Sequence, residues 1–193
     1  MPRTRPPHPP LSVRSGFTFL ELAVVMTILL SALLIFSSTV SGVAKQRSVN
    51  RETGLAVAAA RNILETLRSE DFALAFARYN SDPNDDPDGP GTAPGNRFAV
   101  AGLDEAPDSP DGLEGEVIFP TAFDGAGALQ LREDVELRAL GMPRDLSGDG
   151  RVDDQDHGDS YFILPVRVRL RWKGSTGVRQ YEIASQLCPY VKS

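Results

Sequence analysis

Gly16-Phe17-Thr18-Phe19-Leu20-Glu21 opens an apolar run that reaches Phe36, and the reading of this stretch decides the fold. The residues before it carry Arg3, Arg5 and Arg14 without an acid. Pro2, Pro6, Pro7, Pro9 and Pro10 are too many for a helix interior. From Phe17 the apolar run is about 20 residues long, the length that a bilayer-spanning helix needs. One carboxylate, Glu21, stands inside it. A charge there costs on the order of 2.5–3.5 kcal/mol at bilayer centre and less near an end, which marks a functional residue in need of a partner. A secretory signal has a shorter apolar core, roughly 7–15 residues, followed by a small-residue cleavage site. Ser37, Ser38 and Ser41 do follow the run, so composition leaves open a cleaved signal or a plain signal anchor. Glu21 argues against the cleaved signal, since a secretory core gains nothing from a carboxylate. Arg3, Arg5 and Arg14 on one side are matched by Lys45, Arg47 and Arg51 on the other, so the distribution of positive charge gives no orientation.

Downstream the apolar run becomes amphipathic. No proline occurs between Phe17 and Pro83, which permits one long helix to about Leu67. From about Val43, Val57, Ala60, Leu64 and Leu67 recur at intervals of three and four, with Arg51, Glu52, Arg61, Glu65 and Arg68 elsewhere. This is a helix with one buried stripe. Gly42 and Gly54 lie inside it, each costing roughly 1 kcal/mol relative to alanine, and are expected to bend it.

Asn80 to Gly95 consists of turn formers and acids and reads as a loop. Short strand candidates follow at Arg97 to Ala101 and Glu116 to Phe119, with weaker ones at Leu129 to Leu131 and Val135 to Leu140. The clearest pattern is late in the chain. Val166, Val168, Leu170 and Trp172 alternate with Arg167, Arg169 and Arg171, the period-2 signature of a half-buried strand. Gly174 to Gly177 makes a turn, and Tyr181, Ile183 and Leu187 share one face of a return strand. The expected fold class is α+β: a long N-terminal helix, membrane-embedded in its first half and amphipathic in its second, packed on an antiparallel sheet so that each covers the other's apolar face. Four segments result: a leader at 1–16, a transmembrane helix at 17–42, an amphipathic helical half at 43–79, and a loop-rich β domain at 80–193.

The chain has 193 residues and a formal net charge of −6; taking away the three arginines of the leader leaves −9. That balance is poor for binding phosphate backbones, and no nucleic-acid partner is expected. Cys188, the one cysteine, cannot form an internal disulfide and reads as a small buried apolar residue. No His/Cys cluster has zinc spacing, since His8 lies in the leader and His157 stands alone among acids. No Ser/His/Asp, Cys/His or paired-carboxylate constellation is present, so no enzyme or small-molecule substrate is expected.

Gly16-Phe17-Thr18-Phe19-Leu20-Glu21-Leu22 closely resembles the class III signal of type IV pilins and type II secretion pseudopilins, over roughly Ser15 to Val43. The resemblance implies that a prepilin peptidase cuts between Gly16 and Phe17 and methylates the new amino terminus at Phe17. It implies that Glu21 pairs with the charged amino terminus of a neighbouring subunit as helices bundle into a filament. It also supplies an orientation, with the leader cytoplasmic, one pass through the cytoplasmic (inner) membrane, and the remaining chain periplasmic or extracellular. The pilin-like fold it implies agrees with the α+β layout read from periodicity. Two departures stand out: the proline often found in the first helical turns is absent, and one cysteine cannot close the C-terminal disulfide loop that many pilins carry.

A second motif is Asp145-Leu-Ser-Gly-Asp-Gly-Arg-Val-Asp-Asp-Gln-Asp156. Calcium loops of the EF-hand type need oxygen ligands at positions 1, 3, 5, 7, 9 and 12, the seventh a backbone carbonyl, and glycine at position 6. Asp145, Ser147, Asp149, Arg151, Asp153 and Asp156 occupy the ligand positions and Gly150 the sixth. Val152 at position 8 is expected to anchor the loop. The stretch resembles the calcium loop of dockerin modules, where aspartate at position 12 is usual; a dockerin has two such loops and this chain has one. Ca²⁺ is the expected cofactor, and an acidic solvated turn is the alternative. Asn84, Asp86, Asp88 and Gly89 imitate the start of another loop, but position 12 there falls on Gly95, so this reads as an acidic loop without a metal.

Together these readings make the chain a pilin-like (pseudopilin) structural subunit of a type II secretion pseudopilus or a type IV pilus, partnered by the peptidase and by other pilin-like subunits. The alternatives are a membrane-anchored calcium-binding or adhesion module that does not polymerise, and a competence pilin for DNA uptake, which the row Arg167, Arg169 and Arg171 would suit.

Overall fold

A computed structural model describes residue 16 and residues 18–189. The expected cut and methylation at Phe17, and the leader apart from Gly16, lie outside the described residues. The chain divides into two compact units, with the boundary after Ala44.

The first unit holds the apolar half of α1 (Phe19–Ser69). Thr18 Oγ1 accepts the Glu21 N–H at 3.3 Å, satisfying one of the free donors at the helix start. The hydroxyls of Thr27, Ser31 and Thr39 donate to carbonyls four residues back, at 2.8–2.9 Å, so these polar groups are satisfied within the helix itself. Its side chains are exposed within the chain, and the helix is long and apolar enough to cross a membrane.

The second unit begins with the remainder of α1, which runs without interruption through Gly54 to Ser69. Its buried stripe is Ala56, Ala60, Leu64 and Leu67. Val57 is half-buried, and Ala56 takes the place expected for it. Glu52 is also half-buried rather than on the outer face, because it ties the helix to the late hairpin. Its Oε1 accepts the Ser48 hydroxyl at 2.8 Å and the Ser175 N–H at 3.3 Å, and the Ser48 bond holds its carboxyl below the ordinary range. After Ser69 the helical path breaks into a 3₁₀ turn at Phe72–Leu74, capped by Asp71, and a short α2 (Ala75–Tyr79). The amphipathic helix expected to 79 therefore ends ten residues earlier as one rod.

Four strands form an antiparallel sheet in the order β1-β2-β5-β6: β1 (Arg97–Phe98), β2 (Gly115–Ile118), β5 (Leu164–Gly174) and β6 (Gly177–Leu187). β3 (Thr121–Phe123) and β4 (Leu129–Leu131) form a separate hairpin. The β5–β6 register runs from Leu164↔Leu187 to Gly174↔Gly177, and Gly177 closes the turn at φ 119°, a conformation that side chains resist. Val166, Val168, Leu170 and Trp172 are buried against the α1 stripe in one core. Val135 to Leu140 is not a strand: it ends in a 3₁₀ turn at Arg138–Leu140 that buries Leu140. Cys188 is exposed, because Leu187 takes the last inward position of β6 and Cys188 follows outside the strand. The stretch from Asn80 to Gly95 is loop, fastened by Asp86 Oδ2 accepting the Ala93 N–H at 3.1 Å and by an Arg78–Asp88 ion pair at 3.5 Å.

Candidate functional site

The acidic loop is built around two carboxylates. Asp145 Oδ1 accepts the Gly148 N–H at 2.6 Å and its Oδ2 accepts that of Gly150 at 2.8 Å. These bonds, Gly150 first, hold the Asp145 carboxyl below its ordinary range. The curl is tight enough that Gly148 and Gly150 sit at φ 82° and 84°, which explains glycine at both positions. Ser147 Oγ stands 3.3 Å from Asp145 Oδ1, and Asp149 Oδ1 accepts the Arg151 N–H at 2.8 Å.

The second carboxylate, Glu133, comes from outside the motif. It lies two residues beyond β4 and is fully buried. Its Oε1 accepts the N–H groups of Leu146 at 2.7 Å and Ser147 at 3.0 Å, and its Oε2 that of Asp153 at 3.3 Å. Hydrogen bonds to backbone donors are what allow an ionised group to be buried. The loop is then closed without a disulfide: the Leu146 carbonyl accepts from both Phe162 N and Ile163 N, at 2.7 and 3.1 Å. The Tyr161 hydroxyl donates to the Phe72 carbonyl and accepts from Phe76 N, and its burial pushes its pKa up.

The far half of the loop faces two ways. Asp156 Oδ1 accepts the N–H groups of Leu131 and Gly158, both at 3.0 Å, while His157 N donates to the Leu131 carbonyl at 2.8 Å. Residues 156 and 157 are thus fastened to the end of β4 at Leu131. Asp153 Oδ1 accepts from Gln155 N and stands 3.0 Å from His157 Nε2; these two contacts, Gln155 first, hold its carboxyl low. Val152 is exposed, contrary to its expected anchoring part. The anchor is Leu146 at position 2, fully buried.

Glu133, Asp153 and His157 bring one ligand atom each to within 4.8 Å of one another, a group able to hold a metal ion. Of the six ligand positions read from the motif, Asp153 belongs to this group. Ser147 Oγ stands by Asp145, the Asp149 carboxylate instead caps the Arg151 N–H, Arg151 is exposed, and Asp156 accepts from Leu131 of β4. Glu133 was not identifiable from local sequence, since it lies 20 residues before Asp153.

The arginine row is ion-paired along its length. Arg167 meets Glu182 at 3.5 Å, Arg169 meets Glu116 at 2.5 Å and Arg171 meets Asp108 at 2.7 Å. Arg97 continues the network with Asp111 at 2.7 Å. The row's positive charge is therefore spent on cross-strand and loop partners. At the other end of the chain, Glu21 is exposed in the first turn of α1 and Gly16 is exposed before it.

No family model, curated protein or solved structure matched this chain when it was compared with them.

Proposed function

We propose that the chain is a pilin-like subunit, processed after Gly16 and assembled through its N-terminal helix into a pseudopilus or type IV pilus. The observation that carries this reading is the placement of Gly16 and Glu21 at the head of an exposed apolar helix whose continuation packs on an antiparallel sheet. In a bundle of such helices the Glu21 carboxylate, in low dielectric, is strongly attracted to a neighbour's charged amino terminus and penalised when unpaired. The same reading puts the sheet domain outside the cytoplasmic membrane and the leader inside.

The loop from Asp145 to Asp156 is read as a calcium loop of this subunit, with Asp145, Ser147, Asp149 and the Arg151 carbonyl as the near ligands and Asp153 and Asp156 completing the set. The Asp145 bonds to Gly148 and Gly150 support it, because they curl the chain as position 1 and the glycine at position 6 require. Intact-mass measurement of membrane-extracted protein tests the subunit reading. A methylated product beginning at Phe17 is expected in wild type, and uncleaved precursor in Gly16→Val. A product beginning beyond Ser37 would mean ordinary secretion instead.

A further inference from the structure

We infer that Glu133, Asp153 and His157 form a binding site for a zinc-class divalent cation, adjoining the calcium loop and sharing Asp153 with it. Three observations converge on it. First, the ligand atoms are already at coordination spacing: His157 Nε2 lies 3.0 Å from Asp153 Oδ1 and 3.6 Å from Glu133 Oε1. A tetrahedral ion with bonds near 2.0–2.1 Å places neighbouring ligand atoms about 3.3–3.4 Å apart, so small side-chain shifts suffice. Second, Glu133 is fully buried, yet among the described residues the basic side chain within 4 Å of its carboxylate is the His157 imidazole and not a lysine or arginine. Neutral backbone donors satisfy its geometry but do not supply a countercharge, and Arg132 beside it is engaged with Asp134 and Asp154, while the surrounding loop adds Asp145, Asp149 and Asp156 to the negative field. A cation held between Glu133 and Asp153 supplies that charge. Third, Glu133 Oε2 accepts a single N–H at 3.3 Å, which leaves that oxygen lone-pair capacity for a ligand bond, whereas Oε1, the oxygen nearer His157, already holds the Leu146 and Ser147 N–H groups.

The donor set chooses the class of ion. One imidazole with two carboxylates suits zinc and its neighbours in the first transition row, whereas calcium takes an all-oxygen shell of six to eight ligands. His157 is nearly buried at 7 % exposure and its backbone is fixed on β4 through Leu131, so the imidazole is presented without ordering cost. An ion there would tie three places together: the segment leaving β4, the far half of the acidic loop, and the approach to Tyr161. This is the closure that a disulfide supplies in other small extracytoplasmic domains.

The test uses the full chain in detergent, stripped with chelator and titrated with Zn²⁺ or Co²⁺ alone. Wild type is expected to take up one equivalent of zinc at this site, and Co²⁺ is expected to give the visible bands of a four-coordinate ion with a nitrogen ligand, bleached by zinc. Both signals are expected to be lost in His157→Ala and kept in Asp149→Ala. They should also be kept in His8→Ala and Cys188→Ser, which remove the other histidine and the cysteine. Far-ultraviolet dichroism checks that the His157 variant is folded, and the cobalt spectrum of wild type needs no variant. Failure of wild type to bind zinc, equal binding by His157→Ala, or displacement of zinc by millimolar calcium would each overturn the assignment.

Discussion

The buried carboxylate of Glu133 takes the backbone N–H of Leu146 at 2.7 Å, 13 residues further along the chain, and this bond sets the entrance to the acidic loop. Glu133→Ala leaves the buried N–H of Leu146 and the partly buried N–H groups of Ser147 and Asp153 without their acceptor. The expected loss is about 3–5 kcal/mol of folding stability, read as a lower denaturant midpoint at unchanged slope. Asp154→Ala, on the exposed side of the same loop, should change stability by less than about 0.5 kcal/mol. Comparable losses from the two variants would remove Glu133 from its central place.

Gly115 faces Phe98 across the β1–β2 pair. A Cβ at Gly115 would lie 2.2 Å from the Phe98 ring. Gly115→Ala should therefore cost about 1–3 kcal/mol by overpacking. In the Phe98→Ala background the same change should cost much less, so a double-mutant cycle is expected to show coupling between them. Simple additivity would mean that the ring moves aside freely.

Acid titration should expose the Arg97–Asp111 pair. The Arg97 hydrogen bonds, at 2.7 and 2.9 Å, lower the Asp111 carboxyl to about 2. Because the folded-state value lies below the unfolded one, the pair's contribution is present above the ordinary aspartate range and is lost as pH falls through about 2. Melting temperatures of wild type and Asp111→Asn should differ at pH 6 and converge as pH is lowered toward that value. A gap that persists at pH 2 would assign the effect of the substitution to something other than charge.

The parts of this fold legible in sequence are those governed by local periodicity. Val166 to Trp172 alternates because one face of β5 is core, and the Gly174–Gly177 turn fixes the register of β6. The α1 stripe was one residue out at Ala56, since Glu52 turns inward to bind the hairpin over a separation of 123 residues, a contact that no local pattern carries. Glu133 was hidden for the same reason: it sits between Arg132 and Asp134 in what reads as solvated charge, and only the fold carries it under Leu146. The EF-hand-like spacing of Asp145 to Asp156 is legible in sequence, whereas the turning of Asp156 toward Leu131 depends on β4. Val135 to Leu140 alternates like a strand, but the chain tightens there to bury Leu140 and Met142.

Glu21 is expected to act in assembly and not in folding. Glu21→Val removes a charge from the apolar half of α1 and should leave membrane insertion intact or easier. Incorporation into filaments should nonetheless fall, because the amino terminus of the neighbouring subunit loses its partner. Sheared-filament fractions from cells carrying each form, compared at equal membrane abundance, measure this directly. Equal incorporation would remove the pairing role and favour a module that is anchored without polymerising.

Calcium should stabilise the sheet domain through the near half of the loop. An ion bound only by the folded state adds RT ln(1 + [L]/Kd), roughly 2.7 kcal/mol at a hundredfold excess over Kd. Extracellular calcium modules work with Kd values on the order of 10⁻⁴–10⁻³ M, so weak binding suffices on the proposed placement of the domain outside the membrane. The ion would also offset repulsion among Asp145, Asp149, Asp153 and Asp156, at the cost of turning Asp156 away from the Leu131 and Gly158 N–H groups. Chelator-stripped full-length protein should melt higher in millimolar calcium than in calcium-free buffer. Asp149→Ala combined with Asp156→Ala should abolish that difference, whatever its own baseline, while His157→Ala should keep it. If wild type melts equally with and without calcium and titration calorimetry is flat, the segment from Asp145 to Asp156 is a carboxylate-capped turn whose glycines serve geometry alone.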